Sequence, residues 1–364
     1  MIQIKYLPDL CENLDFRRKP ITEKDRVEGE IPYYGASGVV DYVDGYIFDE
    51  ELLLVSEDGA NLLARSTPIA FSIKGKTWVN NHAHVLKFSN KLIQKYVELY
   101  LNSISLEPYV TGSAQPKLNQ KRLNEIPIPL PELNIMSNII EAISQINELI
   151  ALRKEQLAKL DQLVKSRFIE LFIDKGYPIK TVDEVSLGKG EYGAQSASIE
   201  YDPTRPRYVR ITDINDDGTL NDDVVASINP DDDEQYRLEY GDFMFARMGA
   251  TVGKTYAFIA GNQIFAGYLI RYRLNQKLVN PRYLFWYTKL DEYWNWVKLN
   301  QSGAAQPGIN AKKYGSLRIP IPPIEQQEQF AAFVNQTDKS KLAIQQSLDK
   351  LELLKKSLMQ EYFG

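Results

Sequence analysis

The sequence predicts an α/β fold of the α+β kind, repeated in tandem. Two mixed globular portions are separated and followed by two long helices. Three observations predict this. The phrase GSAQPKLNQKR, starting at Gly112, recurs as GAAQPGINAKK from Gly303. Each copy runs through a proline-rich segment, IPIPLP or IPIPP, into a long stretch without glycine or proline. Upstream of each copy, short apolar runs alternate with glycine-marked turns, as short strands require.

The repeat holds one offset, 191 residues, without a gap from Gly112–Phe172 to Gly303–Phe363. It pairs Asn119 with Asn310, Pro129 with Pro320, Leu157 with Leu348 and Phe172 with Phe363. Upstream the echo is weaker: YLPDLCENL resembles KTVDEVSLG, and EDGAN resembles RMGAT. The internal two-fold pseudo-repeat therefore divides the chain into four parts. Residues 1–131 and 176–323 are globular, and 132–175 and 324–364 are helical. Two similar units suit a two-part target, or two copies of one partner.

In the first unit YIFDEELLLVS, PIAFSIKGKTWV and HAHVLKF read as strands, and QKYVELYLNS as a short helix. In the second, GDFMFAR, KTYAFI and GYLIRYRL read as strands, and PRYLFWYTKLDEYW as helix. The prolines two apart in each IPIP segment favour an extended edge that stops where the long helix starts. Beyond Pro131, Met136, Ile139, Ile143, Ile146, Ile150, Leu157, Leu160, Val164 and Leu171 recur at spacings of three and four. That pattern predicts one helix of about 40 residues, roughly 60 Å, with a coiled-coil seam. Arg153 and Arg167 fall on the seam. After Pro323 the seam returns with Phe330, Val334, Ile344, Leu348, Leu351 and Leu358, interrupted by Lys341 and Lys355.

Composition narrows the function. No apolar run reaches a membrane span, and the N-terminal residues lack an apolar signal core, so a cytoplasmic protein is expected. Cys11 is the sole cysteine, which excludes internal disulfides and thiolate zinc sites. Neither a GxxxxGK[ST] phosphate loop nor a GxSxG serine elbow occurs. The net charge of −5 hides an uneven distribution. Asp202–Asp242 is strongly acidic and reads as solvated turns; its DDG turn has no glutamate to close a calcium loop. From Phe243 onward bases outnumber acids two to one.

Candidate contact residues lie in loops. His82 and His84 stand two apart on an expected strand, hence on one face, but no third metal ligand stands at a telling spacing. In the repeated phrase, Gly112 and Gly303 permit positive φ or close approach. Gln115 and Gln306 can pair with adenine edges or simply brace the loop, and Lys121-Arg122 and Lys312-Lys313 suit phosphates. Ser113, Lys117 and Ser302 belong to the same loops. SEDGANLLAR and ARMGATVGK each place a Gly-Ala turn after an apolar strand, offering Asp58, Asn61, Arg247 and Thr251. Arg247 can read guanine, and Asn61 or Asn81 adenine. IPYYGASG adds Tyr34 and Ser37, VNNH adds Asn80, Asn81 and His82, and RYVRITDIN adds Arg207, Arg210 and Thr212.

Over essentially its whole length, duplication included, the chain resembles the specificity subunits of type I restriction-modification systems. The two phrases with their IPIP continuations are similar to that family's end-of-domain motif. IPYYGASG through NNHAHVL, and GDFMFARMGATVGKTYAF, are similar to two classes of its target recognition domain. The resemblance implies a non-catalytic subunit that binds double-stranded DNA, each domain reading half of a split sequence. It implies an antiparallel coiled coil that sets the unread spacer and docks two modification (methyltransferase) subunits. Ile135, Ile140, Leu149, Leu353 and Leu354, off the seam, are the candidate docking positions. It further implies restriction (motor/nuclease) subunits, with S-adenosylmethionine, ATP and Mg held by partners and no cofactor by this chain. Since the units differ upstream of the repeat, two unrelated half-sites are expected. A self-contained methyltransferase or nuclease would carry an NPP[YF] motif or an acid-acid-lysine cluster, and neither is found. A plain coiled-coil scaffold would show no DNA gel shift with a partner methyltransferase.

Overall fold

The computed structural model describes residues 2–364 apart from 113–114, 229–233 and 304–306. The chain forms two compact units, and each takes part of both long helices: Met1–Lys154 with Gln346–Gly364, and Glu155–Gln345.

The first unit runs β1 (Gln3–Lys5), α1 (Leu7–Leu10), β2 (Cys11–Asn13), β3 (Glu28–Gly35), β4 (Gly38–Val43), β5 (Phe48–Asp49), β6 (Leu52–Ser56), α2 (Asn61–Ala64), β7 (Ala70–Ile73), β8 (Lys76–Val79), β9 (Ala83–Phe88), α3 (Lys91–Ser103), α4 (Gln120–Asn124), β10 (Ile128–Leu130) and the start of α5 (Leu133–Phe172). One antiparallel sheet has the order β2-β9-β6-β7, and a mixed sheet has the order β4-β3-β8-β5. Every residue of β6 is buried, which explains its uninterrupted LLLV.

The second unit runs β11 (Ile179–Thr181), β12 (Glu191–Tyr192), β13 (Ser198–Glu200), β14 (Arg207–Val209), β15 (Ala226–Ile228), β16 (Asp242–Ala246), β17 (Thr255–Ala257), β18 (Gln263–Phe265), β19 (Leu269–Arg273), α6 (Pro281–Tyr287), α7 (Asp291–Asn300), α8 (Ala311–Gly315), β20 (Arg318–Pro320) and the start of α9 (Ile324–Phe363). Its main sheet, β12-β19-β16-β17, repeats the connectivity of β2-β9-β6-β7, with β16 buried throughout as β6 is. The second sheet is not repeated. Two small pairs, β13-β15 and parallel β14-β18, stand instead. That is the region where the sequence echo fades.

The IPIP segments pair as edge strands with the start of each unit: β10 with β1, and β20 with β11. Tyrosines a helical turn apart hold them. Tyr96 and Tyr100 of α3 donate to the carbonyls of Pro129 and Pro127 at 2.7 and 2.6 Å. Tyr283 and Tyr287 of α6 donate to those of Pro320 and Arg318 at 2.7 and 3.1 Å. Both acceptor pairs keep the 191-residue offset, although the tyrosines lie in poorly matching sequence.

Helices α5 and α9 each run 40 residues unbroken, as the pattern predicts. In the first unit Lys154 meets Glu352 at 3.1 Å, and Ile143 lines a groove with Met359. In the second, Lys341 bonds Asp161, and Phe168 and Phe172 meet Phe330. In both units the two helices therefore run antiparallel. The expected seam shifts at one end. Phe168 and Phe172 fill the core of the second unit, while Arg167 lies exposed and pairs with Glu170 at 2.8 Å. A straight helix drifts from a strict seven-residue repeat, and a globular core selects the four-residue spacing Val164, Phe168, Phe172. The chain's end closes the first unit in the same way. Phe363 packs edge-on against Tyr96 and Tyr100, with ring centroids 5.4 and 5.9 Å away.

Candidate nucleic-acid interface

Among the described residues, the repeated phrase and the Gly-Ala loop are joined by the same backbone hydrogen bonds in both units. Gly59 N donates to Pro116 O at 3.0 Å, and Gly249 N to Pro307 O at 2.9 Å. Leu118 N donates to Glu57 O at 2.8 Å, and Ile309 N to Arg247 O at 2.9 Å. Glu57 N donates to His82 O at 2.9 Å, and Arg247 N to Tyr268 O at 3.0 Å. Isolated bridges Asp58–Lys117 and Met248–Gly308 complete the joint. Positive φ is required at matching turns, at Gly59 and Gly249 and again at Gly112 and Gly303, so glycine is fixed there by backbone geometry.

Next comes a cap. Asn119 accepts from Arg122 N at 3.0 Å and Asn310 from Lys313 N at 2.9 Å, starting α4 and α8. The paired cations thus sit in the first turn of a short helix. Lys121 and Lys312 are exposed. Arg122 pairs with Glu125 at 2.8 Å, and Lys313 donates to Asn300 O at 2.6 Å, so one cation of each pair is engaged internally. Gln115 is exposed, while Ser113 and Gln306 lie outside the described residues. Lys117 pairs with Glu57 at 3.3 Å, and Ser302 N donates to Gly308 O at 3.0 Å.

On this shared frame the two units present different side chains. In the first unit His82, exposed, faces Asp58 at 2.8 Å. His84 is buried behind it: Nδ1 meets Asp15 at 2.6 Å and Nε2 meets the Leu118 carbonyl at 2.8 Å. The expectation that the two histidines share a face fails because β9 begins at Ala83, leaving His82 in the turn before it. Asp15, Glu57 and His84 form a trio whose possible ligand atoms lie within 4.8 Å, which the sequence spacing hid. The Arg18 guanidinium already supplies positive charge there, 2.7 Å from Glu57 and 3.5 Å from Asp15. Burial alone would raise both carboxyls. At Asp15 the His84 hydrogen bond and charge, the Val85 N–H and Arg18 together outweigh it, and at Glu57 Arg18, His84 and Lys117 do, so both lie below their ordinary range.

In the second unit the position of Glu57 is taken by Arg247, and that of His82 by Tyr268. Arg247 Nε donates to Gly267 O at 3.0 Å, and the guanidinium carbon lies 5.0 Å from the Tyr192 ring centroid and 5.7 Å from that of Tyr268. Tyr192 and Tyr268 carried no linear signal; β12–β19 pairing, which sets Tyr192 opposite Ile270, delivers the first.

The other candidates divide into outward and inward groups. Ser37, Asn81 and Thr212 are exposed. Tyr34 packs on Phe71, with centroids 6.1 Å apart. Asn80 is buried and accepts from His82 N, and Asn61 braces its own turn through Thr67 and Ser66. Thr251 bonds the Met248 carbonyl. Arg207 and Arg210, offered as DNA contacts, hold the acidic loop in this structure. Arg207 meets Asp222 at 2.6 Å, and Arg210 meets Asp213 at 2.9 Å. On the helices Ile135, Leu149, Leu353 and Leu354 are exposed, whereas Ile140 packs against the first unit's core. Among the described residues no helix is long and apolar enough to cross a membrane.

Fold and site together define a duplicated recognition protein, with one loop frame used twice to present two different faces. The comparisons place it further. The family model for the type I restriction modification DNA specificity domain matches residues 2–162 and again 183–354. The chain belongs to that family and carries two of its domains in tandem, and the family is the non-catalytic DNA-recognition component of type I systems. A type I restriction enzyme specificity subunit of Haemophilus influenzae is 27% identical, over 98% of this chain and 95% of its own. The type I S subunit from M. genitalium has a similar fold, with a TM-score of 0.63 and 13% identity, covering 100% of this chain and 96% of that one. A second solved chain, from work on complex assembly and conformational transition of the type I system, matches with a TM-score of 0.60 and 16% identity, covering 100% and 97%.

Proposed function

We propose that each unit reads one half of a bipartite DNA sequence, and that α5 and α9 fix the unread spacer and dock two modification subunits. The recognition domains are residues 1–131 and 176–323, and the helical parts 132–175 and 324–364. One observation carries the reading. The same backbone hydrogen bonds hold the loop in both units, while its side chains change from Glu57, Asp58 and His82 to Arg247, Met248 and Tyr268. A constant frame carrying different side chains suits two different base sequences. Exposed Lys121 and Lys312 suit phosphates, which supply affinity without sequence. Exposed Leu149, Leu353 and Leu354 offer apolar area to a modification subunit. Adenine methylation from S-adenosylmethionine, and ATP-driven restriction with Mg, then belong to partner subunits.

Footprinting of the chain with its modification subunit on DNA bearing the methylated motif tests this. Two protected patches flanking an indifferent spacer are expected; one continuous, sequence-independent footprint would refute it.

A further inference from the structure

We infer that Arg247 reads guanine for the second unit, with Tyr192 and Tyr268 as positioning residues that hold its fork in one plane. The inference rests on the DNA-reading function proposed above. Nε is anchored on Gly267 O at 3.0 Å, which fixes one edge of the guanidinium. The rings of Tyr192 and Tyr268 lie within 5.0 and 5.7 Å, and both tyrosines are exposed, at 43% and 52%, so the assembly is open to solvent.

Arg247 makes no carboxylate ion pair among the described residues, unlike Arg122, Arg207 and Arg210. Its two terminal nitrogens are left as parallel donors. Guanine N7 and O6 form the matching pair of acceptors in the major groove. An anchored, ring-flanked fork presents both donors in one direction, the geometry of the bidentate arginine–guanine contact. The mirrored position in the first unit holds Glu57, engaged by Arg18 and Lys117, beside Asp58–His82. An ionised Glu57 has no hydrogen to donate to guanine N7 and O6, so this position does not repeat the Arg247 contact in the first unit.

The test uses the full chain with its modification subunit. Duplexes of the methylated motif carry 7-deazaguanine, which lacks N7, at one guanine at a time. For the wild type, one guanine in one half should be sensitive. Arg247→Ala should lose roughly 5- to 150-fold in discrimination at that position only and become indifferent to 7-deazaguanine there. Arg247→Lys, which keeps charge but not the fork, should lose most of the same discrimination. Tyr192→Ala and Tyr268→Ala should weaken it partly, with an unchanged salt dependence. Equal loss on all sequences, with a log–log salt slope reduced by about one, would make Arg247 a phosphate contact and overturn the inference. So would full wild-type discrimination in both Arg247 variants. Wild-type binding with no sequence preference would instead overturn the DNA-reading proposal itself.

Discussion

Phe363→Ala should destabilise the first unit although residue 363 lies far in sequence from that unit's globular part. The ring is 8% exposed and packs edge-on against Tyr96 and Tyr100, the tyrosines that hold β10. A buried Phe→Ala replacement costs about 3–5 kcal/mol, and a site in the last helical turn relaxes more easily, which points to about 3 kcal/mol. For a unit of this size, 1 kcal/mol moves Tm by about 2–4 °C, so a fall of roughly 6–12 °C is expected in one transition. Calorimetry gives the shift, and amide exchange shows where it falls: protection should drop along Lys91–Ser103 and Ile128–Leu130. Phe172→Ala is the mirror experiment. That ring is 1% exposed and contacts Phe168, Tyr283 and Phe330, so the loss should move to Pro281–Tyr287 and approach 5 kcal/mol. If Phe363→Ala loosened α6 instead, or left both transitions unmoved, the claim that the C-terminal helix completes the first unit would fail.

Three further outcomes are expected. Asn119→Ala should cost about 1 kcal/mol through loss of the α4 cap, read as faster exchange at Arg122, and Asn310→Ala should do the same at Lys313. Asp15 and Glu57 have folded pKa values below their unfolded ones, so their stabilisation is present at neutral pH. It should be lost as pH falls below about 4, and Asp15→Asn should flatten that acid limb in a pH series of Tm. Removing one heptad from the largely exposed middle of both helices, clear of the buried Ile143 and Phe168, should change the tolerated spacer and leave the half-site letters alone. A change of letters in methylation mapping would contradict the ruler.

Periodicity made the helices legible, because a stripe at 3.6 residues survives in one dimension. The repeated phrase was legible too, since backbone demands fix it: positive φ at Gly112 and Gly303, caps at Asn119 and Asn310. What it does was not. Its backbone braces Glu57–Gly59 and Arg247–Gly249, partners far away in the sequence. The ion pairs of Arg207 and Arg210 were hidden for a related reason, as their carboxylate partners, Asp222 and Asp213, lay in a stretch that reads as solvated turns. The assembly around Arg247 needed strand register to bring Tyr192 across, which no linear spacing records.

The central claim is that this chain dictates a two-part DNA sequence with one unit assigned to each half. Sequencing methylated adenines in cells that carry the modification subunit with the wild-type chain, and then with Arg247→Ala, tests it most directly. The account predicts two unrelated half-sites at a fixed spacing, with the variant relaxing a single guanine in one half. Methylation that persists unchanged without the chain, or a single continuous motif relaxed everywhere by the variant, would contradict it.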